Sequence, residues 1–341
     1  MAQIHDMVAK LRAELVKQGK TPAPASYQGV TKKRITEALN EVDRFTEDQR
    51  DAVFALLDNE RDSFYSLQYK SFPSGIKFCE GATVAHVGCH FGILQRNENK
   101  SDREGRDHWL KPLWLIGAID KVFFDKNNNE FIPGHPVSNS NYTAYRLAQS
   151  FKVILTAEEG RWRNELKKWI KKDAIRTRLE LQARLSEESR KRVNTKHSDL
   201  IKASCDHYAP HFLPGYEVLY IDDGDGDRVT EDEQKKLANA GIHLEPDDSK
   251  PDVLLWNPKT DHLWVIEAVT SDGEADIHKV NNLTALAKRS GKAGIGFTTT
   301  YQSWSVAASR QRKQKNLAAG TYLWIQEDAS KHFLAEAFEV D

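Results

Sequence analysis

Two apolar runs, PDVLLWN and HLWVIEAV, flank a polar NPKTD between residues 251 and 269. Short runs rich in Val, Ile, Leu and Trp around a tight polar turn predict two paired strands. GYEVLYI from Gly215 predicts a strand before them, and AGIGFTTT from Ala293 one after. Apolar positions at helical spacing predict helices over residues 197–208 and 276–290. The C-terminal half therefore reads α-β-β-β-α-β. A further helix over residues 304–313 and a last strand, TYLWIQ, complete it.

Helical periodicity dominates the other half. Residues 1–20 form an amphipathic charged helix, and KTPAPAS, residues 20–26, breaks it as a linker. Residues 31–72 predict two or more helices. The first is capped by Thr31 and places Ile35, Leu39 and Val42 on one face. A short helix over residues 82–94 ends near Gly92. A second, over residues 102–119, has Trp109, Leu113 and Ile116 at core spacing, and Pro112 shortens or kinks it. KVFF and EFIPGHP then alternate as a hairpin around DKNNN, and YTAYRL closes the unit.

Helix, turn, helix and hairpin in that order predict a winged helix. Its second helix carries Arg103, Arg106, His108 and Lys111, types that read base edges and phosphates, with the wing tip at residues 127–129. The competing reading is a small helical domain used for packing or dimerisation. Residues 156–192 predict a basic helical connector. The expected division is 1–155, 156–192 and 193–341.

Composition narrows the class. With 39% hydrophobic and 29% charged residues, 341 residues can bury a core without disulfide or metal staples. No window approaches the roughly 20 apolar residues of a membrane span, so no membrane partner is expected. The start is no signal peptide. Three cysteines, an odd number without metal-ligand spacing, fit a reduced cytoplasmic setting. The net charge of −1 favours no partner, but its distribution is uneven. RWRNELKKWIKK, RTR, RKR and RQRKQK are basic, whereas residues 222–227, DDGDGD, are acidic. Basic surfaces beside an acidic pocket suit a protein holding a polyanion and a cation together; ordinary solvated faces are the alternative. The acidic loop imitates a calcium loop but has Arg228 where glycine is needed and Gln234 where glutamate is needed. Trp256 and Trp264 flank the hairpin as packing residues.

Asp252 and Glu267 stand out. Pairing around the NPKTD turn sets them opposite or near one another, in strands that do not need them for folding. Two acids in an apolar pair lose solvation and repel, which a divalent cation offsets. Mg²⁺ takes oxygen ligands from one or two carboxylates and fills its octahedron with water and phosphate oxygens. The alternative is ordinary ion pairing, Asp252 with Lys250 and Glu267 with some other partner.

The α-β-β-β-α-β order around such a pair is similar to the core of PD-(D/E)xK nucleases. KPDVLLW…HLWVIEAVTSDG, KHSDLIKASCDHYAPHFLPGYEVLYIDD and DREGRDHWLKPLWLIGAIDKV…PGHPVSNSNYTAYRL resemble BsuBI/PstI-type restriction endonucleases, together spanning roughly residues 80–325. The resemblance implies an α/β fold: a mostly helical winged-helix domain, then a nuclease core with a central mixed sheet flanked by helices. It implies a Mg²⁺-dependent type II deoxyribonuclease acting on double-stranded DNA as a homodimer, with a cognate methyltransferase in the same system. Asp252 and Glu267 take the metal-ligand places. Val269 stands where the signature has lysine, leaving Lys279 or Lys250 for catalysis. Asp223 matches a family acid after the LYI strand and would add a metal or water contact, while Asp222 stands where a glycine is usual. His197 matches a helix histidine and implies contact with the DNA backbone or support of the site. A catalytically silent DNA-binding protein on this fold, or a repair nuclease, are the other readings.

Overall fold

The computed structural model describes residues 3–100, 106–136, 140–192, 195–222, 229–244, 248–270, 273–314 and 316–337. The chain forms two compact units, Met1–Ser189 and Arg190–Asp341.

The first unit is mostly helical. Helix α1 (Ile4–Lys17) is followed by a minimal hairpin, β1 (Ser26–Tyr27) and β2 (Val30–Thr31). Then come α2 (Lys32–Glu41), α3 (Glu47–Ala55) and α4 (Tyr65–Gln68). Thr31 and Thr46 cap α2 and α3 by accepting the Arg34 and Gln49 amide hydrogens. Helix α5 (Val84–Cys89) continues as a wide turn over His90–Gln95, and a second wide turn, Arg106–Leu110, leads into α6 (Lys111–Leu115). Pro112 sits in the first turn of α6, where its missing N–H leaves no helical bond unmade. The predicted helix over 102–119 is shorter at its far end. Gly117 turns the chain with φ 73°, and Ile119 already opens a strand.

Strands β3 (Ile119–Asp125), β4 (Glu130–Pro133) and β5 (Thr143–Leu147) form an antiparallel sheet in the order β4-β3-β5. Helices α7 (Gln149–Thr156), α8 (Trp162–Trp169) and α9 (Lys172–Arg192) follow. Phe151, Trp162, Leu166 and Trp169 from α7 and α8 join the main core of this unit. The residues of the basic stretch are thus split between a packed face and a solvated one.

Two carboxylates are buried in that core and fully partnered. Asp58 accepts from His90 Nε2 (3.0 Å), Arg61 Nε (2.9 Å) and the Glu60 and Arg61 amides. Burial pushes its carboxyl up, but these donors outweigh that and hold it well below the usual range. Asp51 is enclosed by Lys32, Arg50 and Arg96.

The second unit is a six-stranded mixed sheet between helices. Helices α10 (Lys196–Ala203) and α11 (Ala209–Phe212) precede β6 (Glu217–Ile221). Helix α12 (Glu231–Asn239) leads to β7 (Val253–Asn257) and β8 (His262–Val269). Helix α13 (Ile277–Arg289), β9 (Gly294–Tyr301), α14 (Trp304–Gln314), β10 (Tyr322–Ile325) and β11 (His332–Leu334) complete it. The sheet order is β11-β10-β9-β8-β7-β6. Strands β8, β9 and β10 run parallel; the other pairs are antiparallel.

Helix α12 was missed in the sequence. Its signal is the capping box at Thr230 and Glu233, which an acid-rich stretch disguised.

Side-chain alternation divides the sheet cleanly. Tyr220, Leu254, Val265 and Phe297 pack with Leu237 of α12 and Leu283 and Leu286 of α13. Further along the same face, Val269 and Tyr301 pack with Ala307 of α14 and Ile325. The opposite face, including Val253, Leu255, Ile266 and Trp324, packs on Leu200, Ile201 and Tyr208. Trp264 donates from its indole to Thr298 (2.9 Å), and Trp256 to Asp261 (2.8 Å), so both serve packing. No helix among the described residues is long and apolar enough to cross a membrane. Cys79, Cys89 and Cys205 form no disulfide.

Candidate active site

The antiparallel pairing of β7 and β8 runs Val253 with Ile266, and one step further sets Asp252 opposite Glu267. At that step the Asp252 side chain replaces the ladder: its Oδ2 accepts the Ala268 amide at 2.7 Å. Asp252 Oδ1 lies 3.6 Å from His197 Nε2, at the start of α10. An amide on one side and an imidazole on the other hold this carboxylate at the end of the strand.

Glu267 shares a face with Val265 and Val269, between the two apolar clusters of that face. It is buried at 1% exposure. Its Oε2 accepts from Lys279 Nζ at 2.7 Å, while its Oε1 is buried with no hydrogen-bond partner. Lys279 also donates to the Gly273 carbonyl (3.0 Å). It stands in the first turn of α13, whose N-cap, Asp276, accepts the Lys279 amide at 2.8 Å. Burial, and then the charge of Asp252, push Glu267 up to about 8 despite the pull of Lys279; Asp222 adds to the rise. Burial lowers Lys279, yet its carboxylate neighbours, Glu267 and then Asp252, together hold it above the ordinary range.

These features fit a hard divalent cation. An oxygen without a partner is held on a rigid strand opposite a second, partly exposed carboxylate. Among the described residues, no three His, Cys, Asp or Glu side chains form a ready-made metal cage. A cation here would complete its shell with water and substrate oxygens, as Mg²⁺ commonly does.

The other residues singled out in the sequence fall as follows. Of the two lysines, Lys279 meets Glu267; Lys250, half-buried, lies two residues ahead of Asp252. Val269 is fully buried against Tyr301 and Ile325, a packing residue. Asp223, and the loop likened to a calcium site, lie outside the described residues. Within the first unit, His108 is exposed and Lys111 half-buried, while Arg103 and the side chain of Arg106 lie outside the described residues. Arg310, from the RQRKQK cluster, forms a two-pronged pair with buried Glu274 at 2.8 Å, and so braces α14. Asp222 was set aside in the sequence for standing at a glycine position, yet it continues the β6–β7 ladder beside Asp252, its amide donating to the Asp252 carbonyl at 2.8 Å.

Sheet and site together define a mixed α/β domain with a strand-borne carboxylate pair and a helix-borne lysine. Residues 181–335 match the sequence model of the BsuBI/PstI restriction endonuclease domain, so this part of the chain carries that domain. The match begins at residue 181; the resemblance read over residues 102–147 lies outside it. Type II restriction enzyme BsuBI of Bacillus subtilis is 31% identical over 139 residues, 41% of this chain and 42% of that protein. The alignment thus spans about two-fifths of the relative's length. Among solved structures, that of SdaI restriction endonuclease matches with a TM-score of 0.37 and 17% identity, covering 92% of this chain and 97% of that one.

Proposed function

We propose that the protein is a Mg²⁺-dependent type II restriction endonuclease that hydrolyses phosphodiester bonds in double-stranded DNA. The observation that carries this reading is the site itself: Asp252 opposite Glu267, with Lys279 on Glu267, inside a domain matching restriction endonucleases.

Asp252 and Glu267 Oε1 would hold the cation. Bound there, it would lower the pKa of a coordinated water and offset charge growing on the phosphate. The chain's own groups do the rest. The Ala268 amide and His197 fix the direction of the Asp252 carboxylate. Lys279, anchored by Gly273 and Glu267, places a fixed positive charge where charge develops on the scissile phosphate. The buried neighbourhood of Glu267 strengthens each of these interactions by excluding water.

The first unit supports DNA binding. The helical segment over residues 106–115 followed by the β4-β3-β5 sheet has the order of a winged helix, and exposed His108 lies on that segment. Cutting both strands of a palindrome requires two sites, so a homodimer is the expected working form, with a cognate methyltransferase protecting host DNA. Such a system works in the cytoplasm.

The test is digestion of a phage genome by the full chain in Mg²⁺. Discrete fragments that vanish with EDTA and with Asp252→Ala are expected. Undiminished cutting by that variant, or DNA binding without any cutting in Mg²⁺ or Mn²⁺, overturns the nuclease reading.

A further inference from the structure

We propose that Asp222 is a third carboxylate of the Asp252–Glu267 cation site, acting on the cation through a bound water. The inference rests on the proposed nuclease reading and adds to it a residue on a third strand.

The argument begins with register. Beyond the bulge at Val218 and Tyr220, β6 pairs Ile221 with Val253. One step on, Asp222 faces Asp252, and the bond from the Asp222 amide to the Asp252 carbonyl (2.8 Å) shows that the ladder extends that far. Asp252 in turn faces Glu267. The three acids therefore form one row across three neighbouring strands. Facing residues of antiparallel strands project to the same side. That side is known from the row before it, Tyr220, Leu254 and Val265, which packs under α12 and α13. The row of acids succeeds a row of apolar residues on the same face.

Burial separates this arrangement from a solvated acidic edge. Asp222 is 5% exposed and Glu267 1%. Among the described residues, Lys279 is the lysine paired with this row, and it is engaged by Glu267. A second observation points to a ligand: Glu267 Oε1 is buried and has no hydrogen-bond partner. A half-buried row of three acids beside an open oxygen is costly unless a cation joins it. Asp222 does not close a three-ligand cage with its neighbours, so the contact left to it is with water on the cation. An outer-shell partner of this kind typically tunes metal affinity by about 10–100-fold.

The experiment is Mn²⁺ titration of the full chain without DNA, read by calorimetry and by the electron paramagnetic resonance of free Mn²⁺. Asp222→Asn should weaken binding by about tenfold with an unchanged circular-dichroism spectrum and melt. Asp222→Glu, which keeps the charge, should retain more affinity than Asn. Asp223→Asn should leave binding as it is. Wild-type affinity in Asp222→Asn, or weakening confined to Asp223→Asn, overturns the inference while the nuclease reading stands. Absence of Mn²⁺ binding by the wild type, or binding indifferent to Asp252→Asn, removes the cation site itself and this inference with it.

Discussion

Lys279 reaches Glu267 at 2.7 Å from the first turn of the helix that follows, whereas the position two residues after Glu267 is a buried valine. The cation that the strand does not supply comes from α13 instead. The site is assembled from a strand pair and a helix, which makes the two lysines separable by experiment.

Lys279→Ala should lower the DNA cleavage rate by about 10²–10³-fold, the usual cost of losing one group that stabilises developing charge. Lys250→Ala should change it little. Single-turnover rates at saturating Mg²⁺ measure both, with DNA binding in Ca²⁺ as the control. The opposite ranking would move catalysis to Lys250.

The pH dependence of the metal-free protein follows from Glu267. Its folded-state pKa of about 8 lies above the ordinary 4.5, so between those values the native state holds a proton that the unfolded chain has released. Stability from this group is present below about pH 4.5 and fades as pH rises through about 8. Melting curves of wild type against Glu267→Gln should show a decline with pH that the variant lacks. Mg²⁺ should flatten the wild-type decline, because it favours the ionised carboxylate. Parallel curves for the two proteins count against the assignment.

In the first unit, Asp58→Ala removes the shared acceptor of His90 and Arg61 from a fully buried position. Breaking a buried charged network by deleting one partner costs about 3–5 kcal/mol. Urea denaturation should report a loss of that size, and a loss under about 1 kcal/mol would show that water or a neighbour takes over the bonds.

Gly296 pairs with Trp264 across β9 and β8, and a Cβ there would lie 2.4 Å from the indole ring. Gly296→Ala should cost about 1–3 kcal/mol as the ring is displaced. It should also break the Trp264 bond to Thr298, visible as a shift in tryptophan fluorescence.

Much of the second unit was legible locally. NPKTD fixes the β7–β8 turn, and a turn fixes register, so the opposition of Asp252 and Glu267 follows from some twenty consecutive residues. The apolar period gave α13 within a residue of each end, and Asp276 capped it as a helix start should be capped. Where the reading fell short, the cause was composition. Acidic residues at 231–233 concealed α12, although they suit the first turn of a helix by complementing its dipole. The glycine expected at position 222 drew attention to Asp223 and away from Asp222.

What the sequence determined by itself was the strand pair and its two facing acids, because neighbouring residues and one turn are enough to set them. Which lysine joins them, and that Asp222 extends the row, depended on contacts that no local pattern encodes. Lys279 is brought back by the path of the chain from β8 into α13, and Asp222 is aligned by β6 pairing across an intervening helix with β7. Such contacts form only when the whole sheet closes against its helices, so burial and register across distant segments decided them.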